Sequence, residues 1–109
     1  LIKDMPQALD YVIIEADGAK HHSLKYPAAD EPVIYPGTTD VIIVLGTWEK
    51  GRSCKDVVFR YELMQKELGT AEDAVVDDSV IDMLRQVYVR KLRDSGFEGR
   101  ILSCLAKNC

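Results

Sequence analysis

Glu15, Asp17 and Gly18 sit together at the end of an apolar run, Val12-Ile13-Ile14-Glu15-Ala16-Asp17-Gly18. A carboxylate leaving a buried strand, with glycine three positions later, suits a site for Mg²⁺ and a phosphate. The acid holds the ion or its water shell. The glycine lets a backbone N–H approach a terminal phosphate with no side chain in the way. Asp17 would add a second oxygen ligand. The same residues also make an ordinary turn out of a sheet, so the turn alone carries both readings. Lys20, His21, His22 and Lys25 follow directly. They read either as a loop that binds an anion, such as a phosphate or a pterin phosphate, or as a solvated basic loop.

Other side chains with chemical potential are scattered. The three cysteines are Cys54, Cys104 and Cys109, and no two have the Cys-x-x-Cys spacing of a zinc or redox site. Cys54 lies at an expected helix start beside Arg52 and Lys55, the setting that best lowers a thiol pKa. A structural cysteine is the plainer reading. Trp48, between Gly46 and Gly51, could stack on a ring ligand or pack against the core. Glu31-Pro32-Val33-Ile34 reads either as a docking strap or as a crossover returning the chain to the sheet.

The elements that must position these residues follow from the apolar pattern. Tyr11 to Glu15 and Val41 to Leu45 are short runs rich in β-branched residues, without polar alternation. Both suit strands buried on two faces. The link between them is too long for a hairpin, so they are expected as parallel neighbours. Residues 19–39 hold no period and contain Pro27, Pro32, Pro36 and Gly37. They read as a long ordered loop with an extended piece at Val33 to Tyr35. Ser53 and Asp56 resemble a capping box. Val57, Tyr61, Met64 and Leu68 then form one helical stripe that ends at Gly69. A second helix is expected from Asp77 or Asp78, with its apolar stripe at Val80, Leu84, Val87 and Tyr88 and its end at Gly96. Arg100 to Leu105 reads as a last short strand.

The chain has 109 residues, enough for one small domain with one modest core. Asp and Glu total 18 against 14 Lys and Arg, a net charge of −4. An acidic surface argues against a nucleic-acid partner, which requires a basic face. No apolar run approaches the ~20 residues that cross a membrane. Unpaired cysteines and the absence of a signal-like segment point to a cytoplasmic setting. The first residue is Leu1, so the sequence reads as a piece of a longer protein.

Several strings carry a family resemblance. They are Asp10-Tyr11-Val12-Ile13-Ile14-Glu15-Ala16-Asp17-Gly18-Ala19-Lys20, then Leu24-Lys25, Pro27, Glu31-Pro32-Val33-Ile34 and Thr39-Asp40-Val41. Together they closely resemble the YqeC-type family, described as accessory proteins for selenium-dependent molybdenum hydroxylases. The likeness is dense from Asp10 to Gly46, looser through Arg60 and thin after Gly69. It implies an α/β fold, here a partial P-loop NTPase-like parallel sheet with flanking helices. Residues 1–109 would then be a single partial domain, the C-terminal portion of the P-loop NTPase-like unit. It also resembles the branch of P-loop nucleotidases in which the acidic motif reads Glu-x-x-Gly.

That resemblance implies roles for particular residues. Glu15 and Asp17 would be catalytic and hold Mg²⁺, while Gly18, Lys20 and Lys25 would contact a nucleoside triphosphate. Two departures stand out. The chain has no Gly-Lys-Thr phosphate loop, and Ala106-Lys107-Asn108 is not a guanine-recognition element. The piece alone is therefore not expected to turn over nucleotide, and no cofactor is firmly expected on it. The function expected is maturation of the hydroxylase or its cofactor, with the hydroxylase or cofactor-assembly proteins as partners. Two alternatives stand beside it, a protein-docking module and a carrier of selenium or metal. An α/β sheet lacking its first strands would expose an edge, so a homodimer is also expected.

Overall fold

The computed structural model describes residues 22–107. The expected strand Tyr11 to Glu15 lies outside that range, as do Glu15, Asp17, Gly18, Lys20, His21 and Cys109. The described elements are β1 (Leu24–Lys25), β2 (Asp40–Gly46), α1 (Cys54–Val57), β3 (Val58–Phe59), α2 (Tyr61–Leu68), α3 (Asp78–Asp94) and β4 (Arg100–Ala106). They make a small α/β domain with two short parallel sheets. β1 pairs with β3, and β2 pairs with β4 along its whole length, from Asp40 opposite Arg100 to Gly46 opposite Ala106. The Gly46 N–H donates to the Ser23 carbonyl at 3.0 Å, which ties the start of β1 to the end of β2.

The core sits between the sheets and the helices. Leu24 and Tyr26 from the β1 segment, Ile43 and Leu45 from β2, Met64 from α2, and Val80, Ile81, Leu84, Val87 and Leu92 from α3 are all buried. The helix α3 is set by its ends. Asp77 caps it, its carboxylate accepting from the Val80 N–H at 2.9 Å and from the Ser79 hydroxyl. These bonds hold the Asp77 carboxyl below its ordinary value. Gly96 follows the helix with a φ of 98°, a conformation that glycine adopts without strain. The expected start, stripe and end of this helix all hold.

The stretch from Ser53 to Gly69 differs from the single helix its stripe suggests. Val57, Tyr61 and Met64 are buried as that stripe requires, and Leu68 is half-buried. The chain nevertheless leaves the helix at Val58 and Phe59 to pair with Leu24 and Lys25. Arg60 then takes a left-handed conformation (φ 65°, ψ 39°) and redirects the chain into α2. A β-branched and an aromatic residue favour the strand, and the pairing with β1 outweighs helical continuity. The capping box does not form either: Ser53 precedes α1 with extended backbone and makes no side-chain cap bond.

Val33 to Tyr35 forms no strand; the extended piece of the loop is Leu24–Lys25 instead. Nor is β2 buried on both faces. Ile43 and Leu45 face α3, but Ile42 is 61% exposed and Val44 63%. Among the described residues, the helices cover one face of this sheet only.

Candidate functional site

The loop that follows the acidic turn is anchored by a charge cluster. Lys25 lies in β1 with only 5% of its side chain exposed. Its ammonium donates to Glu31 Oε2 at 2.9 Å. Glu31 Oε1 accepts from the Ala28 N–H at 3.1 Å and lies 3.4 Å from the Arg60 guanidinium. Burial opposes the charge on Glu31. The hydrogen bonds from Lys25 and Ala28, with the charges of Lys25 and Arg60, outweigh that penalty and hold the carboxyl below its ordinary 4.5. One carboxylate thus closes the turn at Ala28, neutralises a buried lysine in β1 and holds the arginine that precedes α2.

Phe59 provides the aromatic side of the cluster. The Arg60 guanidinium lies 4.8 Å from its ring centre and the Lys25 ammonium 5.7 Å. The His22 ring lies 5.5 Å away at a 37° tilt, so His22 is half-buried against Phe59 rather than a solvated loop residue. Next to it, the buried Tyr26 hydroxyl donates to Glu67 Oε1 at 2.7 Å. Burial and this carboxylate push the Tyr26 pKa up to about 12. The Lys91 ammonium reaches across from α3 to the Ala28 carbonyl. The Glu31-Pro32-Val33-Ile34 segment is therefore a crossover fastened at Glu31, with Ile34 half-buried behind it.

Of the residues to which the family resemblance gives a phosphate or metal role, Lys25 is the one described. Its ammonium is turned to Glu31, so a phosphate there would compete with that carboxylate. Arg60, Phe59, Tyr26 and Glu67 belong to the same locus, and sequence reasoning missed them. The one local signal was the aromatic-arginine pair Phe59-Arg60 at the expected end of the family likeness.

Trp48 and the cysteines are also placed. Trp48 is 41% exposed, its ring edge lying over Gly46: a Cβ on that glycine would come within 2.5 Å of Cζ3. Cys54 is buried without remainder, and burial, with the nearby Asp77 charge, pushes its thiol pKa up. This is the reverse of the lowered pKa that its helix-start position suggested, and it makes Cys54 a packing residue. Cys104 is exposed on β4. Among the described residues, no three of the His, Cys, Asp and Glu side chains gather as metal ligands. No described helix is long and apolar enough to cross a membrane.

The YqeC protein family's sequence profile matches residues 1–62, more than half of the chain. The chain belongs to the YqeC family. The match spans the acidic turn, the anchored loop, β2 and the Phe59-Arg60 corner, and it ends at the first residues of α2. The charge cluster of Lys25, Glu31 and Arg60 thus lies wholly within the YqeC match, while Glu67 and Lys91, the partners of Tyr26 and Ala28, lie beyond it. No curated protein and no solved structure matches the chain.

Proposed function

We propose that this YqeC-family chain acts in the maturation of selenium-dependent molybdenum hydroxylases, and that the step it serves depends on Mg²⁺ and a nucleoside triphosphate. The observation that carries the reading is the family match over residues 1–62. The α/β architecture supports it, because parallel strands present ligands at their carboxyl ends. The first described residues adjoin such an end, where the Ser23 carbonyl meets the Gly46 N–H.

In this reading Glu15 and Asp17 hold the metal, Gly18 admits the terminal phosphate, and Lys20 offsets its charge. Bound Mg²⁺ would neutralise charge developing on the phosphates. Lys25 stands one layer back. Paired with Glu31, it fixes the loop that leads from the acidic turn and leaves direct phosphate contact to Lys20. The docking-module and carrier readings gain nothing from Cys54, whose thiol is buried.

The test is Glu15→Gln in the natural full-length protein, with turnover and melting temperature read on one sample. Loss of a metal-associated carboxylate lowers Mg²⁺-dependent nucleotide turnover by roughly a hundredfold or more. Melting stays near the wild-type value. Unchanged turnover would mean that Glu15 only helps the chain leave the sheet.

A further inference from the structure

β4 is an edge with a self-complementary pattern. Among the described residues it pairs with β2 alone. The Arg100 N–H donates to the Thr39 carbonyl at 3.0 Å, and the Ala106 carbonyl accepts from the Thr47 N–H at 2.8 Å. Residues Arg100, Leu102, Cys104 and Ala106 therefore turn their backbone groups towards β2. Ile101, Ser103 and Leu105 turn theirs outward, to the open edge, because backbone direction alternates along a parallel strand.

The side chains repeat this symmetry. Ile101-Leu102-Ser103-Cys104-Leu105 reads apolar, apolar, serine, apolar, apolar from either end. A two-fold axis that pairs β4 with its own copy must make the strands antiparallel. Centred on Ser103, it sets Ser103 against Ser103 and Ile101 against Leu105 of the second copy. These are the residues whose backbone groups point outward, so each facing pair exchanges both of its hydrogen bonds. The side chains also sort correctly. Ile101 and Leu105 lie on the helix-covered face of the sheet, Leu102 and Cys104 on the other, since opposed residues share a face. Leu105 is 61% exposed in the single chain although it lies on the covered face. Ile101 of the second copy would lie beside it.

We infer that the open edge of β4 is a homodimer interface, in which two copies pair antiparallel about Ser103 into one continuous sheet. The occupant is a second copy because the free backbone groups, the apolar order and the side-chain faces are all satisfied by this strand's own sequence. The pairing closes the edge, not the apolar face of Ile42 and Val44. It rests on β4 alone and is independent of the nucleotide reading.

The experiment is cysteine pairing in a Cys109→Ser background. In this register Leu102 of one copy directly faces Cys104 of the other in a non-hydrogen-bonded pair. Cα atoms there lie about 4.5 Å apart, within disulfide range. Leu102→Cys should therefore give a covalent dimer on mild oxidation, and Leu102→Cys with Cys104→Ser should not. Light scattering on the unmodified chain at micromolar concentration should report a dimer. Ser103→Pro removes an outward N–H that β2 does not use, which an edge strand tolerates. It deletes the reciprocal bonds at the axis and should weaken dimerisation by about thirtyfold. Ser103→Lys, which sets like charges against each other, should weaken it too while circular dichroism stays unchanged. A monomeric unmodified chain, or cross-linking that ignores Cys104, would overturn the inference and leave the edge to another protein or segment.

Discussion

Replacing Glu31 by glutamine removes one charge from the junction of β1, the crossover and α2. Lys25 is 5% exposed and Glu31 20%, so the ammonium has little water to fall back on. Removing one partner of a buried ion pair costs about 3 kcal/mol. The Arg60 contact is longer, at 3.4 Å, and partly exposed, and adds less than about 1 kcal/mol. For a domain of this size the total of about 3–4 kcal/mol corresponds to a fall in melting temperature of about 12–32 °C. Thermal denaturation followed by circular dichroism at neutral pH measures it.

The same substitution has a pH signature. The Glu31 carboxyl is held below its ordinary 4.5 in the folded chain. Its stabilisation is therefore present above 4.5 and is lost as pH falls through the lower folded value. Wild type and Glu31→Gln should converge as the solution is acidified below 4.5. A Glu31→Gln protein that melts within a few degrees of wild type at neutral pH, with an unchanged gap in acid, would refute the argument.

Three further outcomes are expected. Tyr26 ionises near 12 in the folded chain against 10 unfolded, so its contribution is complete below pH 10 and disappears between 10 and 12; melting temperatures at pH 9 and 11.5 should show that loss in wild type and a smaller one in Tyr26→Phe. A Cβ at Gly46 meets the Trp48 ring at 2.5 Å and Ser23 Cβ at 2.9 Å, so Gly46→Ala should destabilise by about 1–3 kcal/mol and shift the fluorescence of the sole tryptophan; an unchanged spectrum would contradict that contact. Among the described residues the buried Ser23 hydroxyl has no hydrogen-bond partner, so Ser23→Ala should stabilise by about 1 kcal/mol, read as a higher denaturant midpoint.

The parts of the fold legible in the sequence are those set by neighbours along the chain. Asp77 before Val80, the stripe through Leu84 and Val87, and Gly96 after the last turn define α3 without reference to anything distant. The apolar runs at Val41 and Ile101 likewise announce strands. Val58-Phe59 was not legible, because its strand character comes from pairing with Leu24-Lys25 more than thirty residues earlier. A helical stripe and a broken helix both bury Val57, Tyr61 and Met64, so periodicity does not separate them. The openness of Ile42 and Val44 depends on where the helices lie and leaves no mark in composition. At the candidate site, the sequence marks Lys25 by its charge and Glu31 only as part of a strap. Nothing in their spacing across Pro27 shows that the two would meet. Burial decides Cys54 for its plainer, structural reading: the thiol pKa is pushed up, not down.

On the proposed reading, this YqeC-family chain serves hydroxylase maturation through a nucleotide-dependent step at Glu15. The most direct measurement is selenium-dependent hydroxylase activity per hydroxylase polypeptide in cells whose own copy of the protein has been deleted. Activity should vanish on deletion while the hydroxylase polypeptide persists. It should return with the wild-type protein, and it should not return with an equally abundant Glu15→Gln protein. Full hydroxylase activity in the deletion would contradict the maturation role; full rescue by Glu15→Gln would contradict the nucleotide-dependent step.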